Sequence, residues 1–287
     1  MSVNIEKNDQ GRQLLLNLLR KGNYIFDMRK IKQTAGELGI SEAYLPELLR
    51  RLVECNWIIR LKRGLYASDG NIIGTTDIHP FVMATNLFTP SAVSHWSAMH
   101  HWGFTEQVPN IVTVMTTCKV MTPAMRRGAG NDCLWETAGT RCRFIKVHED
   151  RWFGIMNIWV DERFQVPIVD PERTVLELFI DPGAFGGITE ALSVIEENVA
   201  GIDIEKLMEY AVVYGKAAPA ARLGWVLEKF GIDGKILDRL AGVIPSYYAP
   251  LEPGKPHRGK CSSRWKIIEN IGINRGCHAE DGYQTGC

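Results

Sequence analysis

The sequence predicts an α+β protein in which a small helix-rich domain precedes a larger mixed α+β domain. Three observations support this fold class. Leucines recur at helical spacing between residues 14 and 52. Short runs rich in β-branched and aromatic residues follow between residues 111 and 169. Helix-start and helix-stop signals then return after residue 170. We expect domains at residues 1–70 and 71–255, and a C-terminal tail at residues 256–287.

The segment from residue 39 to residue 66 is the most informative part of the chain. Its third-helix candidate carries one apolar stripe, formed by Leu45, Leu48, Leu49, Leu52 and Val53. Ser41 is the expected N-cap of this helix. Pro46 has no N–H and clashes inside a helix, so the helix either begins late, with Pro46 in its first turn, or is kinked there. A strand at Trp57–Leu61, a basic turn at Lys62-Arg63-Gly64 and a second strand at Leu65–Ala67 complete the segment.

Two helices are expected before this segment, at Asp9–Lys21 and at Asp27–Leu38, and Asp27 is the expected cap of the second. Three helices followed by a hairpin are typical of a winged helix-turn-helix, in which the third helix is the recognition helix and the hairpin is the wing. Residues 1–68 contain twelve Lys and Arg and seven Asp and Glu, a net charge of +5, so the rest of this neutral chain carries −5. This asymmetry favours DNA binding through few phosphate contacts, unless the protein binds as a dimer.

The geometry of a recognition helix and wing predicts the role of each residue. The first exposed residues of the helix reach base edges, residues one turn later contact phosphates, and cations at the wing tip contact the minor groove or the backbone. The two arginines of the helix could instead pair with Glu47 or Glu54 on a solvated helix face. The candidates for base contact are Ser41, Ala43, Tyr44 and Glu47, and the candidates for phosphate contact are Arg50, Arg51, Lys62 and Arg63.

The larger domain is predicted to contain antiparallel strands first and a helical part after them. Helices are expected at residues 80–87 and 91–104. Strands are expected at residues 111–119, 142–148, 155–160 and 166–169, the last of which has the pattern of an edge strand. Asp170, Pro171 and Glu172 are residue types favoured at a helix start. Further helices are expected at residues 188–199, 204–214, 218–230 and 235–243.

The order of several short motifs resembles one family. These motifs are Arg63-Gly-Leu-Tyr, a Ser-Ala helix before Trp102-Gly-Phe, Asp170-Pro-Glu-Arg-Thr with Gly186-Gly187, Arg222-Leu-Gly-Trp, and Arg264-Trp-Lys-Ile-Ile-Glu-Asn. Over residues 10–271 the chain resembles the AbiEi-type antitoxins, which are predicted transcriptional regulators of phage-defence (abortive infection) systems. The resemblance implies a winged-helix domain that binds double-stranded operator DNA and represses its own operon. It also implies a second domain linked to neutralising a nucleotidyltransferase-like toxin, without a stable complex between the two proteins.

A metal-dependent nuclease is the enzymatic alternative, because a nuclease site of this kind needs two or three acids and a lysine around a hard metal ion. Asp161, Asp170 and Glu172 are the candidate acids. Thr174 stands two residues after Glu172, where such a site would have its lysine. Helix capping accounts for Asp170 and Glu172 without a metal. A third alternative is a protein-interaction module that does not bind DNA.

The remaining features predict no catalytic site, no metal and no cofactor. The seven cysteines are scattered and lack both a C-x-x-C pair and the spacing of a zinc module. The histidines of residues 91–104 lack a nucleophile elbow and an acid to orient them, so we interpret them as structural. No apolar run approaches the ~20 residues of a membrane span, and residues 1–10 lack the apolar stretch of a signal peptide. We therefore expect a cytoplasmic protein without a membrane partner.

Overall fold

The computed structural model describes residues 2–69, 78–128 and 133–271. These residues have a mixed α+β fold, as the sequence predicted. They divide into two compact units, Met1–Val175 and Leu176–Cys287. The boundary expected at residue 70 falls outside the described residues. In the part of the chain that the structure describes, no helix is both long enough and apolar enough to cross a membrane.

The helices and strands are numbered in chain order. The helices are α1 Ser2–Arg20, α2 Met28–Glu37, α3 Leu45–Glu54, α4 Pro80–Leu87, α5 His95–His101, α6 Pro123–Arg126, α7 Pro171–Ile180, α8 Ile188–Asn198, α9 Ile204–Tyr214, α10 Ala217–Lys229 and α11 Gly234–Leu237. The strands are β1 Ile25–Asp27, β2 Ile58–Lys62, β3 Leu65–Ser68, β4 Ser91–Val93, β5 Val112–Thr116, β6 Leu134–Thr137, β7 Thr140–Lys146, β8 Ile155–Trp159, β9 Gln165–Val169, β10 Ala249–Pro250, β11 Lys260–Ser262 and β12 Ile267–Glu269.

Residues 2–69 combine α1, α2 and α3 with an antiparallel sheet of order β1-β3-β2. The apolar stripes of the helices meet in one core, which includes Leu14, Leu15, Leu18, Leu45, Leu48, Leu49 and Leu52. The side chain of Asp27 caps α2 as predicted, because its carboxylate accepts the Lys30 N–H at 3.0 Å. Strand β1 was not predicted, since three residues are too few to show an alternating pattern.

The start of α3 differs from the prediction. The helix begins at Leu45, and its N-cap is Tyr44, which makes no side-chain capping bond. Ser41 is therefore not the cap: it opens a turn in which the Tyr44 N–H donates to the Ser41 carbonyl at 3.0 Å. Pro46 lies in the first turn of the helix, where an N–H would have no helical partner. Of the two solutions left open for Pro46, the late start is the one observed.

A six-stranded sheet of order β6-β7-β5-β4-β9-β8 follows in the first unit. The prediction of an antiparallel sheet is wrong at two pairs, because β5 is parallel to β7 and β4 is parallel to β9. The prediction of an edge strand near residues 166–169 is also wrong, because β9 lies between β4 and β8. The residues expected as one helix, 91–104, form β4 and the shorter α5. Strand β6 was not predicted.

The described residues of the second unit, 176–271, are helical apart from a small sheet of order β10-β12-β11. Helices α8, α9 and α10 lie within about two residues of their predicted bounds. Residues 256–271, which the sequence analysis assigned to the tail, contain β11, β12 and the fully buried Trp265. The Trp265 indole N–H donates to Glu228 at 2.7 Å. Arg222 is buried and donates to the carbonyls of Phe179 and Pro250. Several residues that carried the family resemblance thus have structural roles in this unit.

Candidate nucleic-acid interface

The candidate interface is formed by the start of α2, the turn before α3, the exposed side of α3 and the β2–β3 turn. We call Arg63-Gly64 the wing turn. The Met28 N–H donates to the Gly64 carbonyl at 3.2 Å, so the wing turn lies against the first turn of α2. Gly64 has a φ of 75°, a left-handed conformation that favours glycine. The hairpin can therefore reverse direction tightly beside α2.

Lys30 and Arg63 supply positive charge at this place. Both side chains are exposed, and neither forms an ion pair within the described residues. Arg63 was among the residues predicted from the sequence to contact phosphates, and Lys30 was not. The available signal was the position of Lys30 in the first turn of a helix capped by Asp27, because helix N-termini bind phosphate groups. The two side chains give the start of α2 and the wing turn an unneutralised positive surface.

The candidates for base contact lie at the N-terminal end of α3. Ser41 and Ala43 are exposed in the turn before the helix, whereas Tyr44 is half-buried at the N-cap. The neighbouring Glu42 forms an ion pair with Lys32 of α2 at 2.6 Å. This ion pair links α2 to the turn that leads into α3. Ser41 and Ala43 are therefore the two candidates most accessible to a base edge.

The charged side chains of α3 neutralise one another. Arg50 lies 3.0 Å from Glu47, Arg51 lies 2.8 Å from the same Glu47 oxygen, and Arg50 also pairs with Glu54. Hydrogen bonds from Arg50 and then Arg51 lower the pKa of Glu47 to about 2. This set of two cations and two anions has no net charge at neutral pH. This pairing is the alternative given above for the two arginines. A phosphate could contact either arginine only by replacing one of these carboxylates.

Lys62 lies apart from the other candidates. Its ammonium group donates to the carbonyl of Leu87, at the end of α4, and lies 4.7 Å from the centroid of the Phe88 ring. Burial of this group lowers its pKa. Lys62 and Arg63 are neighbours in the sequence, yet Lys62 contacts the C-terminal end of α4 while Arg63 is exposed. Of the four cations predicted to contact phosphates, three already contact protein groups and Arg63 alone has no partner among the described residues.

Two of the three acids considered for a nuclease accept backbone hydrogen bonds. Asp161 accepts the N–H groups of Arg163 and Phe164 at 2.7 and 2.9 Å. Asp170 accepts the Arg173 N–H at 2.8 Å, as the predicted cap of α7. Among the described residues, no group of three or more His, Cys, Asp and Glu side chains could hold a metal ion. The structure therefore gives the capping explanation of Asp170 a geometric basis, and it places Asp161 in a turn that its own carboxylate stabilises.

Comparison with known proteins finds a family model that matches part of the chain. Residues 13–68 match the family model of the AbiEi antitoxin transcriptional regulators, which confirms the resemblance inferred from the sequence. The whole fold is similar to a crystal structure of the RV2827C protein from Mycobacterium tuberculosis. The TM-score is 0.59 and the sequence identity 14%, and the alignment covers 90% of each chain. At this identity the similarity establishes the fold alone. No curated protein matches the sequence significantly.

Proposed function

We propose, from the family match, that this chain is a DNA-binding transcriptional regulator of the AbiEi antitoxin type. The observation that carries the proposal is that the matched residues 13–68 include β1, α2, α3, β2 and β3 complete, together with the C-terminal part of α1. This succession fits a winged helix-turn-helix in which α3 is the recognition helix and the β2–β3 hairpin is the wing. We further propose that the protein represses its own operon in the cytoplasm. It has no catalytic role, cofactor or membrane partner in this proposal.

The finer part of the proposal concerns a toxin. The protein would be the antitoxin of a type IV, AbiE-like phage-defence system, and its second domain would oppose a nucleotidyltransferase-like toxin without binding it stably. Co-expression with a nucleotidyltransferase-like gene from the same operon tests this part. Growth should be restored by the full chain even when no complex is recovered by affinity purification. Continued growth arrest with the full chain present would reject the antitoxin role. It would not affect the DNA-binding proposal, which is tested by a separate experiment.

The DNA contacts follow from exposure and pairing. Ser41 and Ala43 would approach base edges, with Tyr44 and Glu47 beside them at the start of α3. Arg63 would contact a phosphate directly, because no protein group has to be displaced from it. Arg50 and Arg51 would contact phosphates only by exchanging Glu47 or Glu54 for them. The available contacts are therefore few, and we expect weak dependence on salt for a single copy on DNA.

The experiment that tests DNA binding is fluorescence anisotropy with a labelled duplex from the region upstream of its own operon. A scrambled duplex of the same length measures binding that is independent of sequence. Affinity should fall as salt rises, and the operator should bind more tightly than the scrambled duplex. If neither duplex binds at low salt, or if affinity does not change with salt, the protein-interaction alternative is preferred.

The change Arg63→Met should reduce the slope of log affinity against log salt concentration by about 0.9, the value for the loss of one phosphate contact on duplex DNA. The methionine keeps an unbranched side chain while it removes the charge. Arg258→Met, at an exposed arginine of the second unit, is the matched control and should leave the slope unchanged. A wild-type slope in the Arg63 variant would remove the wing turn from the interface.

Operator affinity should be constant between about pH 5.5 and pH 8, where histidine titrates. Residues 1–69 contain no histidine. The pKa of Glu47 is lowered, so the stabilisation it receives from the arginines is complete above its ordinary pKa of 4.5 and is lost only as the pH falls towards about 2. Anisotropy across this pH range at constant ionic strength measures the effect. A transition near pH 6.5 would show instead that a histidine outside the first domain takes part in binding.

A further inference from the structure

We propose that the six-stranded sheet holds the wing in place, and that Lys62 positions the wing turn instead of contacting a phosphate. The proposal rests on the proposed DNA binding and assigns to that site a means of control from within the first unit. The contacts involved are made by α4, by the residue that follows it and by β6, none of which belongs to residues 13–68. Their effect on DNA binding would therefore be indirect.

The first contact is along the open edge of the wing. Strand β2 is the outer strand of its sheet, so one row of its backbone groups has no strand partner. Two side chains of β6 donate to carbonyls of β2: the Trp135 indole N–H donates to the Leu61 carbonyl at 3.3 Å, and the Thr137 hydroxyl donates to the Arg60 carbonyl at 3.4 Å. Strand β6 thus supplies donors to two consecutive carbonyls of the wing.

The second contact depends on an irregularity in β2. Its pairing with β3 shifts register between Arg60 and Lys62. In a regular strand the side chains of Leu61 and Lys62 would point to opposite faces, and a bulge breaks that alternation. As a result, Leu61 is buried in the core that includes Val114 and Phe144, and Lys62 still reaches the Leu87 carbonyl. Both residues before the wing turn are therefore anchored to the six-stranded sheet or to the helix on it.

The aromatic ring beneath Lys62 connects the two contacts. The Phe88 ring lies 4.7 Å from the Lys62 ammonium group, and it packs edge-on against Trp135 and Phe144 at 5.5 and 4.9 Å. A displacement of Phe88 or Trp135 would change the contacts of Lys62, which lies one residue before the wing turn. The six-stranded sheet can in this way alter DNA affinity without touching DNA.

The test uses Lys62→Met, which keeps the apolar stem and removes the ammonium group, and Trp135→Phe, which removes the indole N–H. Thr137→Val is a third, smaller change on the same edge. Hydrogen–deuterium exchange in the absence of DNA should show faster exchange of residues 58–68 in each variant, and unchanged exchange in Arg63→Met. Operator affinity should fall up to about tenfold in Lys62→Met and Trp135→Phe, because a loosened wing has to be ordered on binding. The salt slope should stay at its wild-type value, because no phosphate contact is lost.

The opposing outcomes are distinct. A salt slope that falls by about 0.9 in Lys62→Met would identify Lys62 as a phosphate contact and overturn the proposal. Unchanged hydrogen–deuterium exchange of residues 58–68 in Lys62→Met, Trp135→Phe and Thr137→Val would overturn it as well. If the wild-type protein binds neither duplex, DNA binding fails as a function, and the exchange experiment still decides whether the sheet holds the wing.

Discussion

Replacing Gly224 with alanine should destabilise the second unit by about 3 kcal/mol or more, the upper range for overpacking a filled core. A Cβ atom at this position would lie 2.1 Å from Cζ3 of Trp265 and 2.4 Å from its Cε3. The indole ring cannot move aside easily. Its N–H donates to Glu228, the Arg264 guanidinium lies 4.9 Å from the ring centroid, and Trp265 itself is fully buried. Either the ring or α10 has to shift, and both are packed.

Urea denaturation followed by near-ultraviolet circular dichroism should show the loss, because the signal reports on the tryptophan environment. Gly242→Ala is the matched control in the same unit, since an added Cβ there would meet no atom within 4 Å. Adding Trp265→Leu to Gly224→Ala should recover part of the stability by removing the clashing ring. Equal midpoints for Gly224→Ala and Gly242→Ala would show that the close approach of α10 and Trp265 is absent in solution.

The helices of residues 2–69 were predictable from local signals, which are leucine periodicity for α1 and α3 and the Asp27 cap for α2. The stripe on α3 fixed both its type and its buried side, and all four leucines of the stripe are buried. The sheet was less predictable for two physical reasons. All three residues of β4 are buried, so this inner strand shows no alternation. Strand β7 is parallel to β5, and this direction depends on the path of the chain between the two strands. The alternation of residue types within a strand carries no information about that path.

The candidate site was predictable only where partners are close in the sequence. The pairing of Arg50 with Glu47 and Glu54 spans three and four residues, and helical spacing already suggested it. The partner of Lys62 is the Leu87 carbonyl, 25 residues away, and the register of β2 against β3 shifts just before this lysine. No local pattern signals such a contact. Counting cations along the sequence does not reveal which of them already have a protein partner.

The change Glu47→Gln should increase the affinity of the protein for any duplex and leave its preference for the operator unchanged. Glu47 is the only carboxylate described as a partner of Arg51, whereas Arg50 also pairs with Glu54. The variant should thus release one arginine, and the salt slope should steepen by about 0.9 if that arginine meets a phosphate. Phosphate contacts carry no sequence information, so the affinities for the operator and for the scrambled duplex should rise by the same factor.

Anisotropy with the two duplexes across a salt series measures both effects. Glu54→Gln is the matched control, because Arg50 keeps its contacts with Glu47 and little charge should be released. Exposed ion pairs contribute little to stability, so both variants should remain folded. An opposite result is informative: if operator affinity falls in Glu47→Gln with no change in salt slope, Glu47 accepts a hydrogen bond from a base and is a specificity residue. The neutral cluster on α3 would then serve to present a carboxylate to DNA, and Arg50 and Arg51 would hold it in position.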